Sequence, residues 1–389
     1  MSYRKDSIYE VDPYPDNVYY DLTIQNLRNN NIKDNLHLQF NETRQSPILH
    51  NSEEYYLSVI RFFVSSYSLP VLFFAIEPNQ ADINKGAYTV TLEYVYNTID
   101  AEMVHVDYVP QDANADIPLA PNTTSNGYQQ ESSYYFCYNY EYVLRLFNIA
   151  LKTAFNNLKA RWPDVPAFKN GFPPSFKWDY SSNKPILSGM DSIYNIDNPS
   201  NPAMIKVYFN RESWNLFNGI ACRYFSTKDE YNRNYQVLFS NDSNSYLSQT
   251  EFGLFRFLEL PSENDPTSNW SPISSIIFTT NTLPIAPTQL SLPKIYDNGV
   301  QISLTTTGSN YQNIISDITT DEMSYRPALL YIPQSENRMI DLKNNQPLQQ
   351  IDISVYYRTK LGNIYPFVIP AGGSASMKIL FERKLKYRN

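Results

Sequence analysis

The apolar positions of the chain follow two periods. Near the start they alternate. In "YYDLTIQN" Tyr20, Leu22 and Ile24 fall on one side, and Asp21, Thr23 and Gln25 on the other. That is the period of a half-buried strand. "LHLQFNET" repeats it with Leu36, Leu38 and Phe40. "EYYLSVIRFFV", from Glu54 to Val64, is denser still in aromatic and β-branched residues. Three strands are predicted here, and "SYSLPVLFFAIEPN" leads away from them.

The middle of the chain changes character. "AYTVTLEYVYN" and "EMVHVDYVP" keep period two, and the polar stretch "QDANADIPLAPNTTSNGYQQESS" then reads as a long loop. After it the period lengthens. Val143, Phe147, Leu151, Phe155, Leu158 and Trp162 step by three or four residues up to Pro163. That spacing predicts one long amphipathic helix with a proline stop. "SFKWDY", "AMIKVYFN" and "NYQVLFS" read as further strands between Asn- and Ser-rich joints.

Strands like the first three then resume: "SSIIFTTNTL", "VQISLTTTG", "NIISDITTD", "ALLYIP" and "SMKILFERK". The clearest local signal is "QQIDISVYYRTKLGNIYPFVI". Ile351, Ile353, Val355 and Tyr357 share one face, and Asp352, Ser354, Tyr356 and Arg358 the other. Lys360–Asn363 then provides a turn, because Gly and Asn tolerate the backbone angles of a tight reversal. Three strands before the middle block and about six after it suit a two-sheet jelly roll. The expected fold is therefore mainly β, a single jelly-roll β-sandwich with a large α+β insertion domain between the third and fourth strands. The expected boundaries are 1–16 for an N-terminal arm and 17–79 for the first part of the roll. The insertion takes 80–268, the second part of the roll 269–382, and a basic C-terminal tail 383–389. No repeat of solenoid or propeller length is seen.

Composition narrows the function. With 33 Tyr and 21 Phe among 389 residues, the chain favours strands and broad contact surfaces. A formal net charge of −8 excludes a surface that binds nucleic acid as a whole. No apolar h-region opens the chain, and its most apolar stretch is too interrupted to span a membrane. The two cysteines, Cys137 and Cys222, exclude a disulfide framework and suit a reducing compartment. The sequons at Asn41, Asn122, Asn241 and Asn269 read as chance in an Asn-rich chain.

Catalytic patterns are missing. His37, His50 and His105 are scattered, and no metalloprotease helix, phosphate loop or nucleophile elbow occurs. Cys137 lies among aromatics, as a small buried hydrophobe does. Asp317 and Asp321 are a conceivable acid–base pair, but surface carboxylates are the default state of such residues. No cofactor or metal is expected. The one local charge cluster is Arg383, Lys384, Lys386 and Arg388. It is either a solvated tail or a contact to phosphate or to an acidic partner.

In order along the chain, "LQFNETRQSPIL", "YYLSVIRFFVSSYSLPV", "IIFTTNTLPI", "SDITTD", "YIPQSENRMIDL", "LQQIDISVYYRTKLGNIYPFVIP" and "MKILFERK" resemble the penton family. These are minor capsid proteins of virophages and polinton-like viruses, and the likeness is greatest to Sputnik-like pentons. "YTVTLEYVYN", "YYFCYNYEYVLRLFNIALKTAFNNL" and "IKVYFN" resemble that family's insertion.

The resemblance implies a non-enzymatic structural protein. Five copies would form a homopentamer at each five-fold vertex of an icosahedral virion assembled in the host cytoplasm or virus factory. The neighbours would be a double jelly-roll, hexon-like major capsid protein and other minor capsid proteins. The insertion would point outward, with a role in host attachment. The tail residues Arg383, Lys384, Lys386 and Arg388 would face packaged DNA or an inner capsid layer. Tyr-rich strand faces and "LPVLFFAI" are candidate contact surfaces, though the latter reads more readily as an ordinary buried strand. Two rivals stand beside this reading. One is a carbohydrate-binding jelly roll using Trp178, Trp214 and Trp270 as sugar platforms; the other is a glycoside hydrolase.

Overall fold

The computed structural model describes residues 15–27, 36–65, 69–77, 82, 84–95, 99–109, 136–198, 204–225, 229–285, 295–297, 300–302, 313–319, 328–333, 338–360, 364–369 and 371–384. The chain divides into two compact units, Met1–Leu69 with Ile273–Asn389, and the continuous stretch Pro70–Pro272.

The first unit begins with β1 (Asn17–Gln25), β2 (Gln39–Thr43) and β3 (Tyr55–Ser65). The second contains β4 (Thr89–Val95), β5 (Ile99–His105), helix α1 (Tyr140–Arg161), β6 (Ser175–Asp179), β7 (Lys184–Met190) and β8 (Met204–Phe209). It continues with helix α2 (Arg211–Leu216), β9 (Cys222–Tyr224), β10 (Tyr235–Val237), β11 (Asn244–Thr250) and β12 (Gly253–Pro261). The chain then returns to the first unit with β13 (Ile273–Thr280), β14 (Asn313–Thr319), β15 (Ala328–Tyr331), β16 (Gln350–Thr359), β17 (Ile364–Pro366) and β18 (Ser374–Arg383).

Two sheets build the first unit. One runs β1-β18-β3-β15. The other runs β14-β13-β16, and the free side of β16 is shared by β2 along Gln350–Ser354 and by β17 along Tyr356–Arg358. Numbered within this unit, leaving out the short β17, the strands lie in the orders 1-8-3-6 and 2-7-4-5. Every neighbouring pair is antiparallel. Alternation aims the apolar side chains of both sheets into one core. Tyr20 and Leu22, Phe40, Leu57 and Phe62, Ile276 and Phe278, Ile353 and Val355, and Met377, Ile379 and Phe381 all belong to it. Phe62 and Phe278 meet edge-to-face across the sheets, 4.9 Å between centroids. On the outer face of the first sheet, Asp21 takes Arg61 at 3.0 Å and Lys378 at 3.5 Å, and Lys378 lies 5.4 Å over the Tyr19 ring.

The hairpin read from "QQIDISVYYRTKLGNIYPFVI" forms, with Tyr357 opposite Tyr365. Its return strand is shorter than the pattern suggests, because Val368 and Ile369 pair instead with Leu36 and His37. Asp352 also departs from the simple alternation. It sits on the polar side of β16 and is nonetheless buried. Its carboxylate accepts from Thr280 Oγ1 at 2.6 Å, from the backbone N–H groups of Asn281 and Thr282 at 2.8 and 2.9 Å, and from Thr282 Oγ1. These bonds close the chain reversal after β13.

In the second unit, β9-β10-β8-β4-β5 form one sheet and β11-β12-β7-β6 another. Helix α1 packs against β4 and β5 of the first and β6 of the second. Asn139 caps its start by accepting from the Glu141 and Tyr142 N–H groups. Val143, Phe147, Leu151, Phe155 and Leu158 are buried, as the spacing predicts. Strand β4 is buried on both faces, which its alternation does not foretell. Val90, Leu92 and Tyr94 lie on one face, where Tyr94 meets Trp162 and Phe168. On the other, Thr91 donates to the Tyr231 carbonyl, and Glu93 is held by Arg233, by Lys206 at 3.4 Å and by the Tyr208 hydroxyl at 3.3 Å. Polar strand positions are buried here because charged and hydrogen-bonding partners cover them.

Strands β7, β9, β11 and β12 carry no clear pattern. β7 contains Pro185 and Gly189, and a Cβ at Gly189 would press on the Tyr194 and Phe239 rings at 2.9 and 3.1 Å. β11 is polar and mostly exposed. It is tied to β12 by a turn ending at Gly253, whose φ of 125° only glycine adopts readily.

Burial alone would raise the Asp352 carboxyl; the bonds from Thr280, Thr282 and Asn281 overcome it and hold the group below its ordinary value. Its stabilisation is therefore full above the unfolded value, about 3.9, and is lost as pH falls through the lower folded value. Asp352→Asn is expected to cost about 1–3 kcal/mol at neutral pH. Urea titrations should show that deficit shrinking as pH falls below the unfolded value and through the lower folded one.

Candidate functional site

The basic cluster foreseen at the C-terminus is held within the fold where it is described. Arg383 ends β18, and its guanidinium donates to Glu54 Oε2 at 2.8 Å. Lys384 donates to the carbonyls of Glu53 and Leu342 at 2.6 and 3.1 Å and pairs with Asp341. Lys343 and Lys384 together hold the Asp341 carboxyl below its ordinary value. The backbone follows suit: Arg383 N–H donates to the Asp16 carbonyl at 2.7 Å and Lys384 N–H to that of Glu54 at 2.8 Å. These partners lie far away in sequence, so no local pattern announces them. Lys386 and Arg388 lie outside the described residues.

The tryptophans offered as sugar platforms divide. Trp178 and Trp270 are 7% and 2% exposed. Trp178 stacks on Tyr140 at 4.6 Å, and Trp270 donates its indole N–H to the Leu216 carbonyl at 2.8 Å. Both are core residues, joined to Phe147, Phe176 and Phe217 through ring contacts. Trp214, on α2, is only half-buried and stacks on Tyr235 at 4.5 Å. The run "LPVLFFAI" is interior as well, with Phe74 packed on Tyr88 and Tyr108.

The groups weighed for catalysis are not drawn together. Asp317 lies 3.6 Å from Arg358, and Asp321 is outside the described residues. His37 donates to the Val355 carbonyl at 3.1 Å, His105 bonds the Gly86 carbonyl at 3.0 Å, and His50 lines an open hollow with Pro15, Ile48 and Tyr55. Cys137 is buried, and burial pushes its thiol well up; the Cys222 thiol is pushed to about 12. Neither is thiolate near neutral pH. Among the described residues no three His, Cys, Asp or Glu side chains are arranged to hold a metal ion, and no helix is long and apolar enough to cross a membrane.

What the fold offers is two sheets around one core, and a second unit whose residues fall between β3 and β13 in sequence. Known proteins give it a class. A chain in the 3.5 Å cryo-EM structure of the Sputnik virophage superposes with a TM-score of 0.74 at 25% identity, covering 95% of this chain and 99% of that one. The crystal structure of the mavirus penton protein shares the fold, with a TM-score of 0.58 at 16% identity over 95% and 99% of the two chains. The class, a viral capsid protein that is structural rather than enzymatic, follows from the minor-capsid family model that matches most of the chain. Protein V18 of Sputnik virophage is 33% identical over 158 residues, which are 40% of this chain and 92% of V18. Structural protein V19 of the same virophage is 27% identical over 131 residues, 33% of this chain and 56% of V19. The chain belongs to the family of the Sputnik minor capsid protein V18/19, whose model matches residues 18–383.

The Arg383–Glu54 pair is mostly shielded, with side chains 13% and 21% exposed. Glu54→Ala is expected to cost about 1–2 kcal/mol, between surface and buried pairs. A double-mutant cycle with Arg383→Ala, read by chemical denaturation, should recover a coupling of comparable size.

Proposed function

We propose that this minor capsid protein closes the five-fold vertices of an icosahedral virion as a ring of five identical chains. The first unit is a single jelly roll, interrupted between its third and fourth strands by the insertion. The observation that carries this reading is the strand order 1-8-3-6 and 2-7-4-5, which is the order of two interleaved Greek keys. A ring of identical chains needs a heterologous contact that closes on rotation. Strand β15 supports such a contact: it is a sheet edge without charge, and Leu330 and Ile332 are exposed on and beside it. Monomeric proteins usually guard such edges with charge or a bulge.

Around the ring stand a double jelly-roll, hexon-like major capsid protein and other minor capsid proteins, and assembly takes place in the host cytoplasm or virus factory. The insertion faces outward and serves attachment. Arg383 and Lys384 are engaged within the chain, so contact with packaged DNA or an inner layer falls to Lys386 and Arg388. The sugar-platform rival is weakened by the burial of Trp178 and Trp270.

Light scattering on the purified full chain tests the ring. A species of five chain masses is expected. Leu330→Lys with Ile332→Lys should shift it to monomer with the circular-dichroism spectrum unchanged, because both side chains are exposed. A discrete dimer or trimer overturns the proposal.

A further inference from the structure

In the second unit a row of aromatic rings runs from half-buried positions out to the surface. Trp214 stacks on Tyr235, nearly parallel at 6°, and Tyr235 meets Tyr224 at 5.1 Å. Tyr224 ends the row on the edge strand β9 and is 62% exposed. The register explains the row. Tyr224 lies opposite Tyr235, and Tyr235 opposite the buried Phe209, so the rings continue the core face of the sheet past its last cover. Arg211 lies one helical turn before Trp214 on α2, a spacing that places both on one helix face. It is exposed, and it makes no ion pair or side-chain hydrogen bond among the described residues. Asn218, four residues after Trp214, and Asn215, one after it, are exposed too.

An exposed tyrosine ring backed by a rigid stack, next to an unpaired guanidinium and two amides, has the chemistry of a sugar subsite. The C–H face of a pyranose is apolar and packs on an aromatic face, while its hydroxyls take amide partners. A guanidinium is matched by an oxyanion that offers two acceptor oxygens, and it stands out in a chain of formal net charge −8. We propose that Tyr224, Tyr235 and Trp214 with Arg211 form a binding site for an acidic glycan, one bearing a carboxylate or sulfate. This deepens the attachment reading of the insertion and rests on it.

The test is a glycan array of neutral, carboxylated and sulfated oligosaccharides, probed with the purified full chain. The best ligand is then titrated by calorimetry. The wild type should select acidic glycans. Tyr224→Ala should weaken binding about tenfold, while Tyr224→Phe keeps it. Arg211→Ala should also weaken it about tenfold and flatten its dependence on salt. Arg223→Ala is the control, since Arg223 lies opposite Gln236 on the other face of the sheet, and it should leave affinity unchanged. Absence of binding by the wild type, preference for neutral sugars, or equal affinity in Tyr224→Ala overturns the site. A change of oligomeric mass in Tyr224→Ala without loss of glycan overturns it as well, and marks the row as a protein contact. The attachment reading fails separately, when particles whose insertion is deleted still attach while the purified wild-type chain binds glycan.

Discussion

The first unit depends on pairing the beginning of the chain with its end. β1 lies along β18, Asn17 opposite Glu382 and Gln25 opposite Ser374. β18 in turn lies along β3. Without these contacts Tyr20, Leu22, Phe62, Met377 and Phe381 have no common interior. Each contact closes a loop of several hundred residues, and loop-closure entropy is met only once the apolar core is in place. The second unit is one continuous stretch with its own sheets and helix, so its closures are shorter than those of the first. A folding order with the second unit formed early reconciles the two: a folded insertion shortens the effective loop between β3 and β13.

Polar burial marks the places where the two units are locked internally. Asp352 holds the turn after β13, and Glu93 gathers Arg233, Lys206 and Tyr208 on the covered face of β4. Arg383 and Lys384 pin the end of β18 to residues 53–54 and 341–342. A buried charge is costly without a partner, so each site specifies its partner and hence its register. For a shell protein, whose task is to hold one shape beside its neighbours, such specificity matters as much as net stability.

The aromatic residues answer the functional question by where they lie. A sugar-binding or catalytic protein needs its distinctive side chains at a surface or in a cleft. Here Trp178 and Trp270 are core, "LPVLFFAI" is core, and His37 and His105 bond backbone carbonyls. The membership in a minor capsid family agrees with a structural role. The Trp214–Tyr235–Tyr224 row, which reaches the surface at Tyr224, lies in the second unit.

Alternation and helical spacing alone identified β1, β3, β13, β16, β18 and α1. β1 and α1 are half-buried, so their side-chain period is the burial pattern itself, whereas β13 and β16, buried along most of their length, stand out by their density of apolar and β-branched residues. The strings in their order pointed to the family. β7, β9 and β11 stayed hidden because they are short, edge-like or interrupted by Pro and Gly, and β12 because its apolar positions change phase between Phe257 and Leu258. The same holds for the candidate sites. A sequence shows that Arg383 and Lys384 are basic, that Trp178 and Trp270 are aromatic and that Asp352 is polar. Only tertiary structure decides that the first two are paired, the next two buried and the last enclosed by a turn, since burial and partnership are set by residues distant along the chain.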